Sequence, residues 1–305
     1  MNQFRQLLII IDEQNFTLKA VFRAIDFARK THGKITVVLL NHNYLLHQML
    51  ALVSHRHHPE TLLSYEQKLQ QLENCMANIY ENLHVQVDAF SILDTPKQVL
   101  TLIQEQQVDA VFVAASRHDW WQAIDALPID KYLMRESSAS VYVVKENHWH
   151  QKGHIVSAVQ AFSEDALHQQ LSEQILEETS YLAKLFDKEC HIVDCFEDDS
   201  NSMSFRHNVD GKSEDNKHQK AINQLCHRFH VPDNHVHLDH TVLPEFAIDA
   251  VSHDFTSDLI IIGHSGSHSI KSHVLGHTAE EVLDIVACDL LVMKPPFTTA
   301  PQQHL

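Results

Sequence analysis

Three of the chain's 6 glycines, Gly263, Gly266 and Gly276, fall within one short stretch of 305 residues. They follow the aliphatic run Asp258-Leu-Ile-Ile-Ile262 and are interleaved with His264, Ser265, His277 and Thr278. Glycine admits positive φ and close backbone approach, and a loop that leaves a strand for a helix N-terminus presents N–H groups to an anion. The spacing therefore reads as an anion cradle, with Thr278 able to cap a helix predicted from Ala279 and to offer its hydroxyl to a phosphate. The plain alternative is that the glycines only make the turn. There is no Gly-x-Gly-x-x-Gly after the first strand and no Gly-x-x-x-x-Gly-Lys-Ser/Thr, which argues against a Rossmann dehydrogenase and a P-loop NTPase.

Other residue types invite chemistry with less support. Cys226 and His230 are four apart on a predicted helix, with His235, His237 or His240 within range to complete a zinc site. No four-ligand spacing of a known type is present, so a histidine-rich surface is the favoured reading and no metal ligand is assigned. Cys190 and His191 are neighbours on one strand and point to opposite faces. The cluster Ser54-His-Arg-His-His58 reads as an exposed helix start or loop. Without a Gly-x-Ser-x-Gly elbow or a cysteine-protease signature, no catalytic residue is assigned, and the adjacent pair His264 and Ser265 is a weak basis for catalysis.

The elements that must position the glycine loop are legible from periodicity. Wholly apolar runs, Leu7 to Ile11, Val37 to Leu40, Val111 to Val113 and Val141 to Val144, alternate with helical spacing through the first half. The second half repeats the order: a strand at Ile155 to Val159, a helix at Leu167 to Phe186, a strand at His191 to Cys195 and a helix at Lys217 to Phe229. A short strand at Val236 to Leu238, a helix at Phe246 to Val251, a strand at Leu259 to Ile262, a helix at Ala279 to Val286 and a strand at Leu290 to Met293 complete it. The polar segment Asp198 to Lys220, with Asp198-Asp-Ser-Asn-Ser202 and Gly211-Lys-Ser-Glu-Asp-Asn216, reads as a loop before its helix. Asp109-Ala-Val-Phe-Val113 parallels Asp258-Leu-Ile-Ile-Ile262, and Val141 to Lys145 parallels Leu290 to Lys294, both displaced by 258 − 109 = 294 − 145 = 149 residues. An internal duplication follows. Apolar strands alternating with helices predict two tandem doubly wound parallel-sheet α/β domains, residues 1–148 and 149–305, joined in the polar stretch Glu146 to Gly153.

Charge limits the partners. Lys and Arg number 23 against 40 Asp and Glu, a net charge of −17, which disfavours direct nucleic-acid binding. The 26 histidines titrate near pH 6.5, so mild acid would erase much of that charge. Cys75, Cys190, Cys195, Cys226 and Cys288 are odd in number and widely spaced, as expected of reduced thiols. The run Leu7 to Ile11 is too short for a membrane span or a secretory signal, and a cytoplasmic protein without membrane association is expected.

Gly263-x2-Gly266-x9-Gly276, set between an aliphatic strand and a helix and followed by Cys288-Asp-Leu-Leu-Val-Met-Lys-Pro, resembles the C-terminal signature of the universal stress protein family. The duplication is similar to the family's tandem, E-type subgroup. The resemblance implies two domains packed as a pseudo-dimer, with further self-association open, and a non-enzymatic role in stress resistance that includes tolerance of DNA-damaging agents. It also implies that ATP, or another anionic small molecule, is the ligand to test, because the loop holds ATP phosphates in some members and is absent from others. A nucleotide-dependent switch or slow ATPase is the alternative, and a metal- or other small-ligand-binding protein is the third class. The sequence departs from the nucleotide-binding pattern at His277, where Ser or Thr is usual, and at Gln160, where nucleotide-binding relatives carry an acid that the first half keeps as Asp12. In the first half the glycine positions fall on Ala114, Arg117 and Leu127, followed by Pro128, so the loop is expected to be lost there and retained in the second half. Trp120 and Trp121 lie where the first loop is lost and read as core packing.

Overall fold

The computed structural model describes residues 4–13, 15–41, 67, 70–75, 77–78, 86–93, 95–116, 127–196, 211–241, 243–264 and 275–295. The chain divides into two compact units, Asn2–Glu146 and Asn147–Leu305. The first unit contains β1 (Gln6–Asp12), α1 (Lys19–Thr31), β2 (Lys34–Leu40), β3 (Gln86–Leu93), α2 (Pro96–Glu105), β4 (Ala110–Ala114), α3 (Ile129–Glu136) and β5 (Ser140–Val144). Its strands run parallel in the order β3-β2-β1-β4-β5. The second unit contains β6 (His154–Val159), α4 (Ala166–Phe186), β7 (Glu189–Phe196), α5 (Gly211–Phe229), β8 (Val236–His240), α6 (Pro244–Asp254), β9 (Ser257–Gly263), α7 (Leu275–Ile285) and β10 (Asp289–Met293). Its order, β8-β7-β6-β9-β10, is the same and again all parallel.

The strands β4, β5, β9 and β10 are buried along their whole length, which is what a parallel sheet covered by crossover helices requires and why they lack polar alternation. In the first unit Phe112 and Tyr142, on neighbouring strands, stack at 4.7 Å and Phe27 of α1 meets both edge-on at 5.3 and 5.1 Å. The two contacts of Phe27 place α1 firmly on the sheet. Helix ends follow local chemistry: Thr95 and Gln98 form a reciprocal capping box ahead of α2, Asp165 accepts from Leu167 N–H ahead of α4, and Asp187 in the left-handed region closes α4.

Corresponding acids tie down the amino ends of both sheets. The Asp109 carboxylate accepts the N–H groups of Arg5 and Gln6 at 2.8 and 2.9 Å. Asp258, 149 residues later and only 3% exposed, accepts His150 N–H at 2.7 Å and pairs with the Lys188 ammonium at 2.7 Å. Gly153 is required beside it, since a Cβ there would overlap the Asp258 carboxylate. Trp149 completes the fastening by donating its indole N–H to Asp289 at 3.0 Å.

Several element boundaries differ from the sequence expectation. The residues Gly211 to Asn216, read as loop, begin α5, and α7 begins at Leu275 rather than Ala279. The helix predicted at Phe246 to Val251 runs Pro244–Asp254, with proline in its first turn where a missing N–H costs nothing, and the strand predicted at Val236 to Leu238 reaches His240. Between β4 and β5 the described helix is Ile129–Glu136. Trp120, Trp121, Arg117, Ser54 to His58 and Asp198 to Ser202 lie outside the described residues.

Candidate ligand site at the carboxyl ends of the second sheet

In a parallel α/β sheet the strand-to-helix loops gather at the carboxyl ends of the strands, and ligands bind there. In the second unit that end holds a small hollow framed by Val159 of β6 and Gln160 just beyond it, Val193 and Cys195 of β7, Ile248 of α6 and Thr278 of α7. Its walls are mostly apolar, and Gln160 and Thr278 supply polar groups. Gln160 is the chemically unusual member. Its backbone N–H donates to Ser172 Oγ at 3.2 Å and the Ser172 hydroxyl donates back to its carbonyl at 2.9 Å, so the main chain is fixed. Its side-chain Oε1 is buried without a hydrogen-bond partner among the described residues. An unmet buried acceptor costs about 1–3 kcal/mol, a deficit that a donor group entering the hollow would relieve.

Strand register shows which residue of the first unit Gln160 replaces. Leu8, Ile9 and Ile10 of β1 pair with Val111, Phe112 and Val113, while Val156, Ser157 and Ala158 of β6 pair with Ile260, Ile261 and Ile262. Counting two residues on along each strand puts Asp12 and Gln160 at the same place.

The glycine-loop residues do not act alike. Gly263 ends β9, where a Cβ would lie 2.5 Å from Leu171 Cδ2 and 2.9 Å from Leu171 Cγ, so α4 demands a glycine there for packing. His264 is 4% exposed; its N–H donates to the Met293 carbonyl at 2.8 Å and its Nδ1 faces the Lys294 ammonium at 3.3 Å. It extends the β9–β10 ladder. Gly276 and His277 lie within α7, not ahead of it, and Thr278 is the fourth residue of that helix, so Thr278 is not its N-cap. Thr278 is instead buried and lines the hollow. Ser265 and Gly266 lie outside the described residues.

Three acids that act on Cys195 escaped the sequence reading. Burial first, then Asp239, Asp194 and Glu245, push the Cys195 thiol up to about 12, so it stays protonated and is no nucleophile at neutral pH. Asp194, at the end of β7, is already committed: Oδ1 accepts Ala161 N–H at 3.2 Å and Oδ2 meets His218 Nδ1 at 2.9 Å. The His218 ring stacks on Phe196 at 3.9 Å, which anchors α5 to the sheet. An acid within a buried strand was the available signal for Asp194; its histidine partner, 24 residues away on a helix, carried none.

The zinc arrangement is not found. α5 ends at Phe229 and His230 takes the left-handed conformation at φ 56°, so Cys226 and His230 do not share a helical face. Burial, then Asp233, pushes the Cys226 thiol up to about 11, and among the described residues no group of three or more His, Cys, Asp or Glu has metal-holding geometry.

Residues 155–294 match the profile of the Universal stress protein family. The second unit is a universal stress protein domain. The likeness of the chain to universal stress proteins runs beyond this domain. It is 24% identical over 313 residues to Universal stress protein E of Escherichia coli strain K12, covering 97% of this chain and 95% of that one. It is 25% identical to Universal stress protein E of Photorhabdus laumondii, with 97% and 96% covered. Among solved structures, one from Pseudomonas aeruginosa UCBPP-PA14 superimposes with a TM-score of 0.68 at 17% identity, covering 97% of this chain and 95% of that one. A universal stress protein from Archaeoglobus fulgidus DSM 4304 does so with 0.63 at 15%, covering 97% and 98%. These structures share the fold. Among the described residues, no helix is long and apolar enough to cross a membrane.

Proposed function

We propose that the protein is a cytoplasmic stress-response protein whose second domain binds a nucleotide or a similar anionic small molecule, and that the binding is regulatory rather than catalytic. The observation that carries this reading is the hollow at the carboxyl ends of β6, β7 and β9, into whose frame Gln160 brings an acceptor with no donor. On this reading an apolar ring system packs against the valines and Ile248, and a hydroxyl or amino group beside it meets Gln160. The anionic end then lies toward the stretch from Gly263 to Thr278, where α7 begins. The first domain takes no ligand of this kind and serves as a structural partner.

The likeness to Universal stress protein E supports a role in stress resistance, and we propose that this role includes tolerance of DNA-damaging agents. Calorimetric titration of the full chain with Mg-ATP tests the binding reading, with Gly276→Val as the variant that crowds the start of α7. Binding by wild type and its loss in the variant supports the site; no heat from either leaves the hollow without a nucleotide. Phosphate release above the uncatalysed rate in the same solutions would replace the regulatory reading with the slow ATPase. Survival of a deletion strain after DNA damage tests the cellular role, and survival equal to the parent would remove it.

A further inference from the structure

Far from the hollow, at the amino ends of the second sheet, three histidines from three adjacent strands touch in series. His154 Nδ1 of β6 lies 3.0 Å from His191 Nε2 of β7, and His191 Nδ1 lies 3.1 Å from His237 Nε2 of β8. The His191 ring is 1% exposed, stacked on Phe255 at 3.9 Å and on His235 at 4.3 Å. His235, in the turn before β8, holds its place through Nδ1 and the Cys190 carbonyl at 3.0 Å.

We infer that this histidine series is an acid-responsive latch that holds the edge strand β8 on the second sheet. Each nitrogen-to-nitrogen contact needs one N–H and one lone pair. Three neutral imidazoles meet that demand with their protons all pointing the same way along the series, in either direction. One added proton leaves a charge on or beside a buried ring. Two or three set N–H against N–H and cation against cation across 3 Å.

Few counter-charges are available. On β7 the exposed Glu189 is 3.8 Å from His235 Nε2. At the end of α6, Asp254 favours the charged form of His237 and has the exposed His253 at 3.9 Å. On the side of β9, Asp258 is already held by Lys188 and His150. Asp233, in the turn before β8, is exposed. Burial, then His235, His154 and His237, hold the His191 pKa down to about 3, and burial, then His235, lower that of His237.

A folded-state pKa below the unfolded value of about 6.5 means the unfolded state takes the proton first. The latch therefore contributes in full above about pH 6.5 and weakens as pH falls from there toward 3. The element that can yield is β8, five residues at the sheet edge in this unit, none of them buried, paired only with β7 among the described strands. Opening that frees His191 to protonate near pH 6.5 becomes about tenfold more frequent between pH 7.5 and 5.5.

Amide hydrogen exchange on the full-length protein, corrected for intrinsic rates, tests this by following Val236–His240 against Asp289–Met293 over that pH range. The expected result is an approximately tenfold rise in opening at β8 with β10 unchanged, and a pH-independent β8 in His191→Phe, whose ring keeps the stacking on Phe255. Equal responses of β8 and β10 in wild type would overturn the latch, as would a His191 ring that titrates near pH 6.5 by NMR while β8 stays closed. These wild-type outcomes decide the matter should the variant fail to fold.

Discussion

The ends of β4 and β9 occupy the same place in the two units, and the chemistry described around them differs. In the first unit the Asp130 carboxylate, completely buried at the start of α3, accepts Ser116 N–H at 2.7 Å, Ser116 Oγ–H at 2.9 Å and Lys131 N–H at 2.9 Å. The unit supplies its own anion where a strand-to-helix turn would otherwise receive one. Displaced by the repeat of 149, Asp130 becomes Ala279, buried and without a charge, and Ser116 becomes Ser265. The ends of β1 and β6 differ in the opposite sense, Asp12 against Gln160. One unit is complete in itself, and the other presents a hollow with an unmet acceptor. On the proposed reading, the duplicated fold has separated a structural copy from a copy open to a ligand.

The largest expected effect breaks the complete copy. Asp130→Ala strands the Ser116 donors and should lower the stability of the first unit by about 3 kcal/mol in urea denaturation, with the second unit's transition unmoved. Gly263→Ala should cost about 1–3 kcal/mol, because its methyl enters the space of Leu171, and Leu171→Ala in the same chain should recover part of the loss; Ala114 already stands at the matching position of the first unit. Gln160→Leu should raise the stability of the ligand-free protein by up to about 1 kcal/mol while removing the group that meets a ligand, a pairing of gain and loss that a purely structural glutamine would not show. Smallest of all, Cys195 should alkylate no faster at pH 7.5 than in a Thr278→Ser variant that keeps the hollow, since a thiol pushed up to about 12 carries almost no thiolate.

The sheets were legible because their strands are apolar throughout and the repeat of 149 sets one half against the other. Gly263 and Gly276 were read from spacing as parts of one loop, but spacing could not divide their tasks: Gly263 is set by Leu171 across the packing with α4, and Gly276 lies inside a helix whose glycine-bearing first turn hid its start. The same weakness concealed the beginning of α5 at Gly211, where Ser, Asp and Asn read as loop formers. The histidine series was beyond periodicity altogether. Its members are 37 and 46 residues apart, and only the register of three strands brings them into contact. His235 and His237 did stand out in the sequence, as companions of Cys226, because ligand spacing is readable along a chain and adjacency across a sheet is not.

The most direct test of the separation between the two copies is calorimetric titration with Mg-ATP of wild type, Gln160→Leu and Asp12→Leu in the full-length protein. The account predicts one site per chain, weakened about tenfold by Gln160→Leu, the worth of one hydrogen bond at roughly 1.4 kcal/mol, and unaffected by Asp12→Leu. Two sites per chain, or a site lost with Asp12 and kept without Gln160, would contradict it.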